Sequence, residues 1–310
     1  MKPRLIVLAS YPKSGNTWLR LVLNNLLQND GLPVSINDIN IGNYGNRRWL
    51  FDHYGPWPSS DLNDNEIDCL WPDVYRQFNG DGERTEFLKC HANASRNTDS
   101  EWVFPPETIR AVLHLVRHPF DVAMSLANHF GTTLEQAVET MTASASTEKK
   151  SRRGLNIRLS DRWGNWRDHC TSWLDAAQTY FVVTMRYEDL LANPRASFCR
   201  LARAAGVNFT DDALTKALEH TRFESLQKQE AEKGFREHES QGRQFFRAGR
   251  SGTWQGHLSD AMRRQLIAQC GEVMSQFGYG EDGEIRSTFV ENSVHFKGDI
   301  RNGFESRKRY

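Results

Sequence analysis

The sequence predicts an α/β fold. We expect a single domain with a central, mainly parallel sheet flanked by helices and a P-loop-like phosphate-binding loop. Three observations predict it. Short continuous apolar runs, such as Leu5-Ile6-Val7-Leu8-Ala9, suit strands buried on both faces of a parallel sheet. Each run leads into a stretch with helical apolar spacing, and that alternation marks a sheet covered on both sides. The first such junction, Ser10 to Asn16, is a tight loop of small and turn-forming residues.

Taken in order, Leu5–Ala9 is the first strand. From Thr17, residues Trp18, Leu19, Val22, Leu23 and Leu26 share one helical face. Residues 40–75 hold Trp49, Phe51, Trp57 and Trp71 among Gly, Pro, Asn and Asp. They read as long loops with a helix at about Asp64–Leu70, lining a pocket. Phe87-Leu88 marks a short strand and Ala111–Val116 a clear one. The latter passes through Arg117-His118-Pro119 into a helix from Phe120 to about Asn128. Residues 142–165, with Ser, Lys and Arg clusters, read as a mobile lid. Tyr180–Thr184 is the next strand. Pro194 suits the first turn of a helix that runs to about Ala205 and stops at Gly206. The division expected is a domain over 1–280 and a polar, partly disordered tail over 281–310.

Composition narrows the function classes. The chain has 310 residues, 38% hydrophobic and 25% charged, with zero net charge. Bulk charge therefore gives no reason to expect nucleic acid or a membrane surface as partner, and any anion site must be built locally. No stretch approaches the ~20 apolar residues of a membrane helix. The N-terminal segment lacks a signal-peptide core, and the five cysteines are widely spaced without a C-x-x-C pair. A reducing, cytoplasmic setting is expected, with no disulfide framework. The sequence offers no H-E-x-x-H, clustered cysteines or calcium loop, so no metal is expected.

The chemistry starts in LIVLASYPKSGNTWLRLVL. A strand turning through small residues into a helix points backbone N–H groups and the positive helix end at one spot, a site for an anion. Against the nucleoside-triphosphate loop G-x-x-x-x-G-K-[ST], Gly15-Asn16-Thr17 fills the last three places with Asn16 where lysine belongs, and Ser10 stands at the first glycine. The lysine lies inside the loop as Lys13. A plain strand-turn-helix with a surface lysine is the alternative. YPKSGNTWL resembles the 5′-phosphosulfate loop, YPKSGTTW, of the cytosolic-type sulfotransferases that use 3′-phosphoadenosine 5′-phosphosulfate (PAPS). Asn16 is the one departure.

Further segments carry the resemblance. In LHLVRHPFDVAMSLANHF, Arg117 and Ser125 match the family's 3′-phosphate signature, R-(N/H)-P-x-D-x-x-x-S. An arginine fork suits phosphate, although an Arg117–Asp121 pair would also account for the pattern. EFLKCHANAS is similar to the K-T-H-L-P catalytic stretch, with Cys90 for threonine and Ala92-Asn93 for Leu-Pro. Lys89 and His91 match, and a histidine at a strand's carboxyl end suits activation of a hydroxyl. RYEDLLANP places Tyr187 beside the adenine, or in the core. HTRFESLQ resembles H-T-x-F, with Thr221 hydrogen-bonding and Phe223 stacking on the adenine. FFRAGRSGTWQGHLS resembles the family's 3′-phosphate loop. Arg247 and Gly249 match there, while Ala248, Thr253 and Leu258 replace lysine, aspartate and phenylalanine. WGNWRDHCTSW looks like a structural stretch beside the site.

The resemblance implies in-line sulfuryl transfer from PAPS to an acceptor hydroxyl, releasing 3′-phosphoadenosine 5′-phosphate (PAP). It makes His91 the base and puts Lys13 at the bridging oxygen, with Lys89 as a further catalytic lysine. Ser14, Gly15, Asn16 and Thr17 would hold the 5′ phosphate, and Trp18 would pack on the adenine or in the core. The expected partner is a small-molecule acceptor, whose selection is assigned to residues 31–84 and 131–160. The sequence sets no oligomeric state. The competing readings are a P-loop-type small-molecule kinase and a PAP-binding module without catalysis.

Overall fold

The computed structural model describes residues 2–28, 31–143, 156–237 and 244–286. Half of the expected lid, 144–155, and most of the tail, 287–310, lie outside the described residues.

Strand β1 (Leu5–Ser10) turns through the tight loop into helix α1 (Asn16–Gln28). Then come β2 (Asn43–Tyr44), α2 (Arg48–Tyr54), α3 (Asp64–Gly80) and β3 (Glu86–Cys90). β4 (Ile109–Val116) is followed by α4 (Pro119–Phe130), α5 (Leu134–Thr142) and α6 (Trp166–Ala176). β5 (Val182–Arg186) precedes α7 (Tyr187–Ala192), α8 (Pro194–Ala204), α9 (Asp211–His220), α10 (Phe223–Lys233) and α11 (Asp260–Gln276).

The five strands form one parallel sheet in the order β2-β3-β1-β4-β5. β1 is central: Val7 pairs with Leu88 on one side and Val112 on the other. All six of its residues are buried, which is why the run is apolar without alternation. The side chains still alternate in direction. Ile6, Leu8, Leu113 and Leu115 meet Leu19, Val22 and Leu23 of α1, Phe198 and Leu201 of α8 and Leu214 of α9. Leu5, Val7, Ala9 and Val112 belong to the opposite core with Phe51, Trp71, Val74, Tyr75 and Trp173. A third cluster joins Phe120, Val138, Trp166, Leu266 and Phe277 from the helices beside the sheet.

Three elements differ from the sequence expectation. β5 starts two residues later than expected, because Tyr180 ends the turn after α6, with its hydroxyl donating to the Phe104 carbonyl at 2.5 Å. α3 runs on to Gly80 through Pro72. Its start is fixed by a capping box in which Asn63 accepts from the Glu66 N–H and the Glu66 side chain accepts from the Asn63 N–H. Residues 40–75 hold β2 and α2 as well as the start of α3. No helix among the described residues is long and apolar enough to cross a membrane. All five cysteines are free.

Candidate active site

A cavity of about 630 Å³ opens at the carboxyl ends of the strands. This is where connections leave β1 toward opposite sides of the sheet, the usual crevice of an open parallel sheet. Every expected site residue lines it except Ser14. Lys13 and Gly15 come from the loop after β1 and Asn16–Trp18 from the first turn of α1, Lys89 and His91 from β3 and its end, and Arg117 and Ser125 from the end of β4 and α4. Tyr187 follows β5, and Thr221, Phe223, Arg247 and Gly249 close the far wall.

The loop after β1 is held by local geometry. Gly15 has φ 101°, and a Cβ on it would lie 2.7 Å from the Tyr187 ring. Glycine is therefore required both by the backbone and by the close approach. The Gly15 carbonyl accepts from the Trp18 and Leu19 N–H groups at 3.0 and 3.2 Å, which starts α1. Lys13 also lies in the left-handed region at φ 70°, and its Nζ sits 3.8 Å from the centre of the Phe245 ring. Asn16 turns back: its Nδ2 donates to the Leu8 carbonyl at 2.9 Å and to Ser10 Oγ at 3.1 Å. Its side-chain amide thus ties the loop to β1. Ser14 is fully buried, and its hydroxyl has no hydrogen-bond partner among the described residues.

Arg117 joins three segments. Nη1 donates to the Lys13 carbonyl at 3.3 Å and Nη2 to the Arg250 carbonyl at 3.2 Å, while the guanidinium lies 4.3 Å from the centre of the Tyr187 ring. Its buried Nε has no partner among the described residues. The Arg117–Asp121 pair considered from sequence does not form. Asp121 instead accepts from the Gly252 N–H at 2.7 Å and from the Thr253 N–H and hydroxyl, both at 2.8 Å. Thr253 thereby docks the last phosphate-type loop onto α4. The Thr221 hydroxyl donates to the Ala217 carbonyl at 2.7 Å, so its proton is committed to the end of α9. Phe223 packs under Gly249, where a Cβ would come within 2.4 Å of the ring. Trp18 meets Tyr187 and Phe198 edge-on at 6.1 and 5.0 Å, so it serves both wall and core.

At the other end, His91 Nδ1 lies 2.7 Å from the Ser10 carbonyl. A carbonyl only accepts, so Nδ1 carries the hydrogen and Nε2 keeps its lone pair. Burial holds the imidazole well below its usual pKa, with Lys89 next and Arg158 and Lys13 adding to it against the Ser10 bond. Lys89 Nζ donates to the Tyr44 hydroxyl at 2.6 Å and to Glu237 at 3.2 Å. The sequence reading did not find Glu237, because the pairing spans 148 residues. It also missed Arg158 and Asp161, and gave no role of their own to Trp163 and Phe245, which lie in the stretches placed beside and at the site. The pocket expected from the aromatics of residues 40–75 is corrected: only Tyr44 of that stretch lines the cavity. Phe51 and Trp71 fill the core, and Trp49 and Trp57 are exposed.

Behind His91 lies a buried cluster that no sequence spacing announced. His114, His169 and Cys170 bring their ring nitrogens and sulfur within 4.8 Å of one another. Burial pushes His114 down to about 3 and His169 well below its usual value, so both rings are neutral. His169 and Cys170 are consecutive on α6 and leave the helix about 100° apart, a poor chelate.

Residues 3–278 match the sequence profile of the sulfotransferase domain. The chain belongs to the sulfotransferase family. Among curated sulfotransferases it is similar to sulfotransferase 1B1 of Canis lupus familiaris, at 24% identity over 73% of this chain and 67% of that one. It is also similar to cytosolic sulfotransferase 17 of Arabidopsis thaliana, at 23% identity over 90% and 76%. Its fold resembles retinol dehydratase in complex with androsterone and the inactive cofactor PAP, with a TM-score of 0.56 and 18% identity over 88% and 81% of the two chains. Mouse sulfotransferase SULT7A1 complexed with PAP gives 0.54 and 18% over 88% and 84%. As a sulfotransferase, the chain is an α/β enzyme whose kinase reading is not favoured.

Proposed function

We propose that this sulfotransferase binds PAPS along the loop after β1 and the Arg117 side of the cavity, and sulfates a hydroxyl of a small-molecule acceptor bound beside His91. The observation that carries the reading is His91: a neutral imidazole with its Nδ1 hydrogen held by Ser10 and its Nε2 lone pair available, in the same cavity as Lys13. The residues suit the donor. The Arg117 Nε, without a partner among the described residues, and the Gly15 turn are provisions for phosphate oxygens. PAPS supplies an activated sulfuryl group. His91 takes the acceptor proton as the new S–O bond forms, and Lys13 leaves the Phe245 face to meet charge growing on the 5′-phosphate. Most of the rate comes from positioning and fixed charge. The acceptor wall has rings from Tyr44, Trp163 and Phe245, which suits an apolar or ring-bearing alcohol or phenol.

Thermal unfolding with PAP, with ATP plus magnesium, and without ligand tests the donor assignment. A ligand at ~100 times its Kd stabilises by about 2.7 kcal/mol, a shift of a few degrees. We expect that shift with PAP alone and its loss in Arg117→Ala. Stabilisation by ATP plus magnesium and none by PAP would reject the reading.

A further inference from the structure

One carboxylate in the cavity has no role in the chemistry above. Glu237 Oε2 accepts from Arg20 Nη1 at 2.8 Å and from Lys89 Nζ at 3.2 Å. Both cations are almost fully buried, with side chains 3% and 6% exposed. Two buried cations without an anion would be costly, and Glu237 offsets that. Burial alone would raise its carboxyl, but Lys89 and Arg20 outweigh this and hold it below the usual range. It is charged at neutral pH.

The geometry also fixes Lys89. An ammonium has three donors. One goes to the Tyr44 hydroxyl at 2.6 Å and one to Glu237, and the third has no partner among the described residues. Lys89 lies near the carboxyl end of β3 and His91 just beyond it, and both line the cavity. Arg20 anchors the arrangement from α1, where it also donates to the Ile41 carbonyl at 3.3 Å.

We propose that Glu237 is a positioning residue for sulfuryl transfer: it holds Lys89 against Tyr44 with one N–H left for the transferring group, and it moderates the positive charge beside His91. This rests on the reading of His91 as base and Lys89 as a catalytic lysine. His91 is faced by Lys89 on β3, Lys13 after β1, Arg158, Tyr44 edge-on at 6.0 Å and His169 on α6. Glu237 is bound to the first of these. Removing its charge leaves Lys89 uncompensated and makes His91 harder to protonate.

The test is kcat and its pH profile in Glu237→Gln and Glu237→Asp, with PAP-induced stabilisation measured in parallel. For Glu237→Gln we expect kcat lower by about 10-fold, an acid limb moved to lower pH by about half a unit, and stabilisation by PAP retained. Glu237→Asp keeps the charge, so its acid limb should stay in place and its kcat should fall less. If Glu237→Gln has wild-type kcat and acid limb, the proposal fails. A reduced kcat with an unmoved acid limb also overturns it, because that is what a purely structural anchor gives. Should the wild-type protein itself show no stabilisation by PAP, the donor-site reading is what fails.

Discussion

Lys13 and His91 enter the same cavity from neighbouring strands, β1 and β3, because both follow strand carboxyl ends. Replacing either with alanine should cut turnover by about 10²–10⁴-fold, with little change in melting temperature and, for His91→Ala, retained PAP binding. Near-normal turnover in either variant would remove that residue from the reaction. Gly15→Ala is a harsher change. It places a Cβ 2.7 Å from the Tyr187 ring at φ 101° and should lower stability by about 1–3 kcal/mol, measured by denaturant unfolding. The motif residues were legible because loop chemistry imposes a short local pattern. What was not legible is which side chains the fold itself uses. The Asn16 amide is taken by β1 and the Thr221 proton by α9, and neither commitment leaves a trace in spacing. Glu237 is a partner of residues far away in sequence, and no local pattern points to it.

At the scale of elements, the strand-loop-helix units of β1–α1 and β4–α4 could be read almost to the residue. A strand buried on both faces and an amphipathic helix have distinct periods, and Pro119 punctuates the second unit at the start of α4. α2 and most of α3 were missed for a physical reason. Their aromatics divide between core and surface, so the exposed Trp49 blurs the stripe that Phe51 and Trp71 would otherwise draw. The contact that matters most between elements is Asp121 on the loop ending at Thr253. Three hydrogen bonds to one carboxylate hold that loop to α4, and Arg117 holds it again through the Arg250 carbonyl. Asp121→Asn should therefore cost about 1.5–3 kcal/mol of stability and weaken PAP binding as well, read by calorimetric titration. Unchanged PAP affinity would mean that this loop does not form part of the donor site.

Over the whole molecule, the buried histidines set the response to acid. Burial pushes His114 to about 3, His118 to about 4 and His169 well below its usual value, against about 6.5 in an unfolded chain. Above pH 6.5 these rings are neutral in both states and pH has no effect through them. As pH falls below that, the unfolded chain takes up protons that the folded one refuses, and each ring removes about 1.4 kcal/mol per pH unit. The melting temperature should thus be level from pH 7 to 8 and fall steeply between pH 6 and 4.5. A flat profile there would show that these rings are hydrated or rearranged. The left-handed backbone at Lys13 has a consequence for anyone engineering this enzyme. A lysine there costs about 1–2 kcal/mol that glycine would not. A selection for heat resistance alone would reward Lys13→Gly at the very residue proposed to meet the leaving-group charge, so stability screens on this chain have to be scored by turnover.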